Sequence, residues 1–153
     1  TERQDGIMIR RLEKCDVEAV AGIWLRTNCE AHDFIPASYW EGHLPMVKEM
    51  FLQAEVYVCQ DGDSQEILGF IGLDQEYIAG IFVRKEAQSR GIGKDLLDFV
   101  KNRREELTLH VYCKNEGAIR FYRREGFRVQ QELADQDTGE KEYFMVWKKW
   151  EAI

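Results

Sequence analysis

Apolar residues recur along this chain in two periods, and the switches between them outline a fold. Val17, Val20, Ala21 and Trp24 fall at i, i+3, i+4 and i+7, the stripe of an amphipathic helix that runs to about His32. Asp16 precedes it as an N-cap, with Glu18 favourably placed in the first turn. Pro36 and Pro45 each stand where a short helix can begin, and Met46, Met50 and Phe51 give the second an apolar face. Ile92, Leu96, Leu97 and Val100 share the face of another helix. A last one carries Ala118, Phe121 and Tyr122, with Asn115 as its N-cap and Gly126 as its stop. Between the helices, residues 8–12, 55–60, 67–73, 77–83, 107–113, 127–133 and 142–149 read as strands. Asp61-Gly62 marks a hairpin turn. In the 107–113 strand, Leu107, Leu109, Val111 and Cys113 share one side, while Thr108, His110 and Tyr112 share the other. The order β-α-α-β-β-β-α-β-α-β-β predicts an α+β, mixed three-layer fold: a mostly antiparallel sheet with helices on both faces and a helix crossover in the middle.

Composition narrows the class. Of 153 residues, 44% are hydrophobic, 32% are charged and two are proline. That suits one domain, residues 1–153, with a core of its own, and excludes a disordered chain. Twenty-one basic against 28 acidic residues leave a charge of −7. This argues against a nucleic-acid partner and leaves cationic partners open. No apolar run approaches the ~18 residues of a membrane span, and the first six residues carry no signal-like apolar stretch. The expectation is a cytoplasmic monomer or homodimer. Cys15, Cys29, Cys59 and Cys113 form no CxxC pair, and His32, His43 and His110 add no ligand spacing, so no metal is expected. Cys113 is expected to be a small buried residue.

Two motifs carry chemistry. Gln88-Ser89-Arg90-Gly91-Ile92-Gly93 lies between a strand and a helix. Glycines there let the backbone turn tightly, and the N–H groups at the helix start suit a phosphate or pyrophosphate. Alone, this is equally a plain strand-to-helix turn. It is not a P-loop, because Gly93-Lys94 is followed by Asp95. Nor is it a dinucleotide fingerprint, because Leu96 stands where a third glycine belongs. The second motif runs from Asn115 through Ala118, Phe121 and Tyr122 to Gly126 and Phe127.

QxxGxG followed by NxxAxxFYxxxGF, in this order and spacing, resembles the GNAT superfamily of N-acetyltransferases over nearly the whole chain. The stretches AHDFIP (31–36) and LHVYCKN (109–115) look like a small bacterial subgroup, some of whose members are protein-lysine acetyltransferases. The resemblance implies acetyl-CoA as co-substrate and direct transfer to a primary amine without an acyl-enzyme. The acceptor implied first is a protein or peptide lysine or an N-terminal amine. A small amine, a polyamine or an antibiotic, is the second, and a non-catalytic CoA-binding sensor is the non-enzyme alternative. By the same resemblance, the backbone of Gln88, Ser89, Arg90, Gly91, Ile92, Gly93 and Lys94 holds the pyrophosphate. Phe82 and Val83 pair with the pantetheine arm, Asn115 bonds its end, Phe121 lines the channel and Arg124 reaches a phosphate. The strands 77–83 and 107–113 splay to admit the cofactor.

Tyr122 is the candidate acid, because a phenol can protonate a leaving thiolate of similar basicity. The base is open between His110, where some relatives carry a glutamate, and Glu76, at the start of the 77–83 strand. His32, Asp33 and Phe34 form one expected wall of the acceptor site, with Trp40, and Asp33 draws in the cation. The acidic turn 135–142 forms the other.

Overall fold

Residues 67–73 offer almost no polar position, and in the computed structural model they lie buried on both faces at the centre of the sheet. The structure describes residues 2–4 and 6–151. In chain order the elements are β1 (Glu2–Gln4), β2 (Ile7–Arg11), α1 (Val17–Ala31), α2 (Ala37–Gln53), β3 (Glu55–Asp61), β4 (Ile67–Asp74), β5 (Tyr77–Val83), α3 (Ile92–Lys101), β6 (Glu106–Tyr112), α4 (Glu116–Arg124), β7 (Arg128–Ala134) and β8 (Lys141–Lys148). The strands form one sheet in the order β1-β2-β3-β4-β5-β6-β8-β7. The α+β class, the helix crossover and the antiparallel flanks are as the patterning implies. The short strand β1 was not legible in it.

Every neighbouring pair is antiparallel except β5 and β6, which are parallel and meet at two residue pairs, Tyr77 with Thr108 and Ile78 with Leu109. The cause is local. The β4–β5 register slips between Gly72 and Leu73, leaving Ala79 as an extra residue on β5. A bulge of this kind bends and twists its strand. Beyond it, β5 and β6 diverge.

Each sheet face has its own apolar layer. On one, Val20 and Ile23 of α1 and Phe51 of α2 cover Val56, Val58 and Phe70. On the other, Ile92, Leu96, Leu97 and Val100 of α3 pack over Cys59, Ile71, Leu107 and Leu109. Each such side chain contributes about 1.5–3 kcal/mol by leaving water.

Four expectations are corrected. The two helices expected from Pro36 and Pro45 are one, because Pro36 is the N-cap residue and α2 runs on through Pro45. The inward stripe is Trp40, Leu44, Val47 and Phe51, spaced i, i+4, i+7, i+11, which anchors α2 on both sides of the proline. Met46 and Met50 face solvent, 55% and 53% exposed. Asp16 does hold the N-cap position of α1, but its side chain makes no cap bond there: it accepts from the Glu13 N–H at 2.8 Å and from two Arg10 nitrogens at 2.8 and 3.1 Å. Those Arg10 bonds hold its carboxyl below the usual range. Cys113 is half-buried just past the end of β6, not a core residue. Asn115 and Gly126 behave as read: Asn115 Oδ1 accepts from the Ala118 N–H at 3.2 Å, and Gly126 adopts φ +95° after α4.

Candidate active site

The divergence of β5 and β6 leaves a chamber of about 280 Å³ where the sheet would otherwise be continuous. Residues 79–82 of β5 and 110–112 of β6 form its sides. Trp24, Asn28, His32 and Trp40 close it from the α1–α2 face, Ala118 and Tyr122 from α4, and Glu142 from β8. A second cavity of about 320 Å³ follows β5 to Val83 and Gln88, sharing Asn28, His32 and Asn115 with the chamber. A larger cleft of about 840 Å³ lies between the 88–94 loop and α4. Tyr122 lines both that cleft and the chamber.

The cleft has the features an anion needs. Gly91 has φ +79° and Ser89 φ +74°, so the backbone doubles back before α3. Gly91 is favoured there because L side chains resist that region. The first N–H groups of α3 have no carbonyl in a preceding turn and open at its positive end. A Cβ on Gly93 would reach the Phe121 ring at 3.5 Å and Val83 at 3.8 Å, narrowing the space between the cleft walls. Gln88, Ser89, Gly91, Ile92, Gly93, Lys94, Phe121 and Arg124 all line the cleft. Lys94 is also paired with Asp98 at 3.0 Å and Glu125 at 3.5 Å. Arg90 is not among the lining residues and approaches Asp61 at 3.8 Å. Arg120, which the motif reading passed over, lines the cleft as well.

The free edge of β5 completes this track. The Arg84 N–H donates to Leu68 O at 2.9 Å, so by strand alternation Phe82 directs its backbone groups to β4, and Ile81 and Val83 direct theirs to the open side. Val83 O accepts from Gln88 Nε2 at 3.2 Å. The Phe82 ring stacks on Phe70, with centroids 5.0 Å apart. A pyrophosphate at the loop and an extended arm along β5 fit these residues.

In the chamber, Tyr122 is buried, and burial, with Tyr77 adding to it, pushes its phenol above the ordinary value. His110 lines the chamber, with Nδ1 2.8 Å from the Tyr77 hydroxyl. Glu76 does not come near: it lies exposed in the turn before β5, at the closed end of the strand pair, where its carbonyl accepts from the Thr108 N–H at 2.9 Å. It lines none of the three cavities. Of the two candidate bases, the structure brings His110 alone to Tyr122.

His32 also lines the chamber, and burial lowers its imidazole. Asn115 Nδ2 lies 3.3 Å from its Nε2, and an amide N–H can only donate, so that nitrogen accepts. Phe34 stands behind this wall, its ring 5.7 Å from both His32 and Tyr112. Asp33 is exposed and lines none of the three cavities, so it does not stand where the expected acceptor wall needs it. The Tyr112 hydroxyl donates to Asp135 Oδ2 at 2.6 Å, which ties the acidic turn to the end of β6. Burial would raise the Asp135 carboxyl, but this hydroxyl and the Asp137 and Thr138 N–H groups hold it below its usual range. Glu142 is the acid inside the chamber, and burial raises its carboxyl against an opposing pull from His110. It closes the 135–142 segment expected to form the second wall, and pairing opposite Tyr112 holds it there. Neither Cys59 nor Cys113 lines the chamber; Cys59 is fully buried, with its thiol pushed up to about 12.

Residues 53–129 match the family model of the acetyltransferase (GNAT) domain. The peptidyl-lysine N-acetyltransferase YiaC of Escherichia coli is 33% identical over 92% of this chain and 96% of its own. YjaB of Escherichia coli, also named a peptidyl-lysine N-acetyltransferase, is 29% identical over 87% of this chain and 90% of its own. The solution structure of apo YjaB superposes with a TM-score of 0.82 at 25% identity, covering 92% of this chain and 97% of that one. The PaiA N-acetyltransferase of Thermoplasma acidophilum, in complex with coenzyme A, gives 0.78 at 21% identity, covering 93% and 98%.

Proposed function

The chain belongs to the GNAT acetyltransferase family, and from that premise we propose that it moves the acetyl group of acetyl-CoA onto the side-chain amine of a lysine in a protein or peptide. The observation that carries the lysine acceptor is the 33% identity, along nearly the whole chain, to a relative named for that substrate.

Acetyl-CoA supplies a thioester, and the chain's residues bind it, orient it and move protons around it. The N–H groups at the start of α3 hold the pyrophosphate. Ile81 and Val83 take the pantetheine arm as an added strand, so the acetyl end lies beside Ala79 and Gly80. The acceptor amine arrives charged and meets Glu142 among the rings of Trp24, His32, Trp40 and Tyr112. His110 Nε2 takes its proton, and the neutral amine attacks directly. Tyr122, kept protonated by burial, gives its proton to the departing sulfur. Asn115 has its side chain shared between the α4 cap and His32, and from there it orients the arm's end.

The test is thiol release from acetyl-CoA across a panel of amines. A lysine peptide is expected to give the highest kcat/KM. A polyamine or aminoglycoside that surpasses every lysine peptide reassigns the acceptor to small amines. Tight acetyl-CoA binding with no thiol release from any amine makes the chain a CoA-binding sensor.

A further inference from the structure

We infer that Tyr77 is a positioning residue for His110: its hydroxyl oxygen accepts from His110 Nδ1–H, which fixes the imidazole tautomer and leaves the Nε2 lone pair for the acceptor amine. The inference rests on the proposed role of His110 as base.

Two observations carry it. The Tyr77 hydroxyl stands 2.8 Å from His110 Nδ1, a distance at which one of the two must donate to the other. The two rings, 5.5 Å apart, join the parallel strands β5 and β6 close to the point where they part. A neutral imidazole has one lone pair. If Tyr77 donated, that lone pair would be used on Nδ1, and Nε2 would present a hydrogen to the amine. A base needs the reverse, with Nδ1–H donating and Nε2 free. Tyr77 is half-buried, so its oxygen has few competing partners, and burial with the nearby Glu142 carboxylate pushes its phenol up and keeps it neutral.

The surroundings agree on the direction. His110 is faced by Tyr77 from β5, by Glu142 from β8, by Asp135 from the β7–β8 turn, and by Tyr122 across the chamber. An imidazolium donates from both nitrogens, so the Nδ1–H bond to Tyr77 persists through the transfer. The Phe144 ring, 5.1 Å from the imidazole, closes its remaining side. Held by rings on two sides and by one hydrogen bond, His110 stays aimed although it is otherwise exposed.

The test compares Tyr77→Phe, His110→Ala and the double variant in the full chain. Phe keeps the ring contact and removes only the hydroxyl. The expected result for Tyr77→Phe is a fall in kcat of about tenfold, the range of one lost hydrogen bond, with acceptor KM within twofold. Nitrogen-15 NMR of the imidazole ring should show Nδ1–H in the parent and a shift toward Nε2–H in the variant. The double variant should be no slower than His110→Ala. If Tyr77→Phe keeps the parent's kcat and tautomer while His110→Ala is slow, Tyr77 is a packing residue and the base assignment stands. If His110→Ala itself keeps full turnover, the base assignment fails and takes this inference with it. A fall in kcat without a change of tautomer also overturns it, because a purely structural loss would do the same.

Discussion

Replacing Tyr122 by Phe separates packing from proton transfer. The Tyr122 ring packs against Phe121 and Phe127, with centroids 5.3 and 5.6 Å apart, and Phe retains both contacts. Only the hydroxyl is lost, so stability should change by less than about 1 kcal/mol. If that hydroxyl protonates the leaving sulfur, kcat should fall by about 10²–10⁴. At about 1.36 kcal/mol per decade, that is a barrier higher by about 2.7–5.4 kcal/mol. Acetyl-CoA affinity should be unchanged, because the anion cradle lies on α3 and the arm follows β5. The pH dependence has a definite sign. Burial, with Tyr77, raises the phenol above its ordinary value, so the acid keeps its proton through neutral pH and beyond. The parent kcat should therefore show no falling limb from this group below about pH 10. Thiol release with a lysine peptide, followed from about pH 6 to 9.5 with calorimetry and thermal melts alongside, reads all three quantities. A variant that folds, binds acetyl-CoA normally and turns over within threefold of the parent would refute the proton-donor role.

Gly91→Glu should abolish acetyl-CoA binding, since it places an anion at the mouth of the cradle; the new Cβ meets nothing within 4 Å, but φ +79° strains any L side chain, so the fold is expected to persist with a loss of about 1–2 kcal/mol; calorimetry showing parent affinity in a folded variant would remove the 88–94 loop from the cofactor site. Asp16→Ala should cost about 3 kcal/mol at neutral pH, because it removes the two short bonds to Arg10, whose side chain is 17% exposed, and the acceptor of the Glu13 N–H, leaving Arg10 with Gln60, the Arg11 carbonyl and the exposed Glu13. Arg10 lowers the folded carboxyl's pKa, so this stabilisation is full above about pH 4 and fades as pH falls through the depressed value. Urea melts that give the same gap at about pH 7 and pH 2 would contradict the pairing.

The parts of the site that are local in sequence were legible. Gly91, Gly93, Asn115 and Tyr122 sit in motifs whose spacing matches one helix start and one helix cap, and the structure places them on the cleft or chamber. Alternation along β6 put His110 on the side opposite Leu109 and Val111, the side that faces Tyr77. What failed depended on boundaries or on partners far away. Glu76 lost its place although the strand's bounds, 77–83, are as read: it precedes β5 in the turn at the joined end of the β5–β6 pair, and which end of that pair opens is set by the distant partner strand. Asp33 was nominated for its charge, but the ring of Phe34 packs toward Tyr112 and leaves Asp33 outside. Glu142 was part of the acidic segment 135–142 expected to form a wall, whereas Tyr77 enters through a strand pairing more than 30 residues away in the chain. The α2 stripe was present at Trp40, Leu44, Val47 and Phe51, yet Pro45 drew the reading to a break. A proline removes one backbone bond, whereas that stripe keeps two flanking segments on the same core.

The two residue pairs that join β5 to β6 make the sheet mechanically a book with two covers. Strands β1 to β5 form one cover, and β6, β8 and β7 the other. The core under α3 spans both, holding Ile71 and Leu73 of the first against Leu107, Leu109 and Met145 of the second, and it acts as the spine. The core under α1 and α2 draws on the first cover, and there the covers meet along a seam of rings, His32 and Phe34 against Tyr112. Any bending about that spine would widen the chamber on the α1–α2 side, while α3 keeps its packing on β3, β4 and β5 of the first cover. On the proposed reading, the same missing row of backbone bonds would leave the cradle before α3 fixed and the acceptor side of the chamber adjustable.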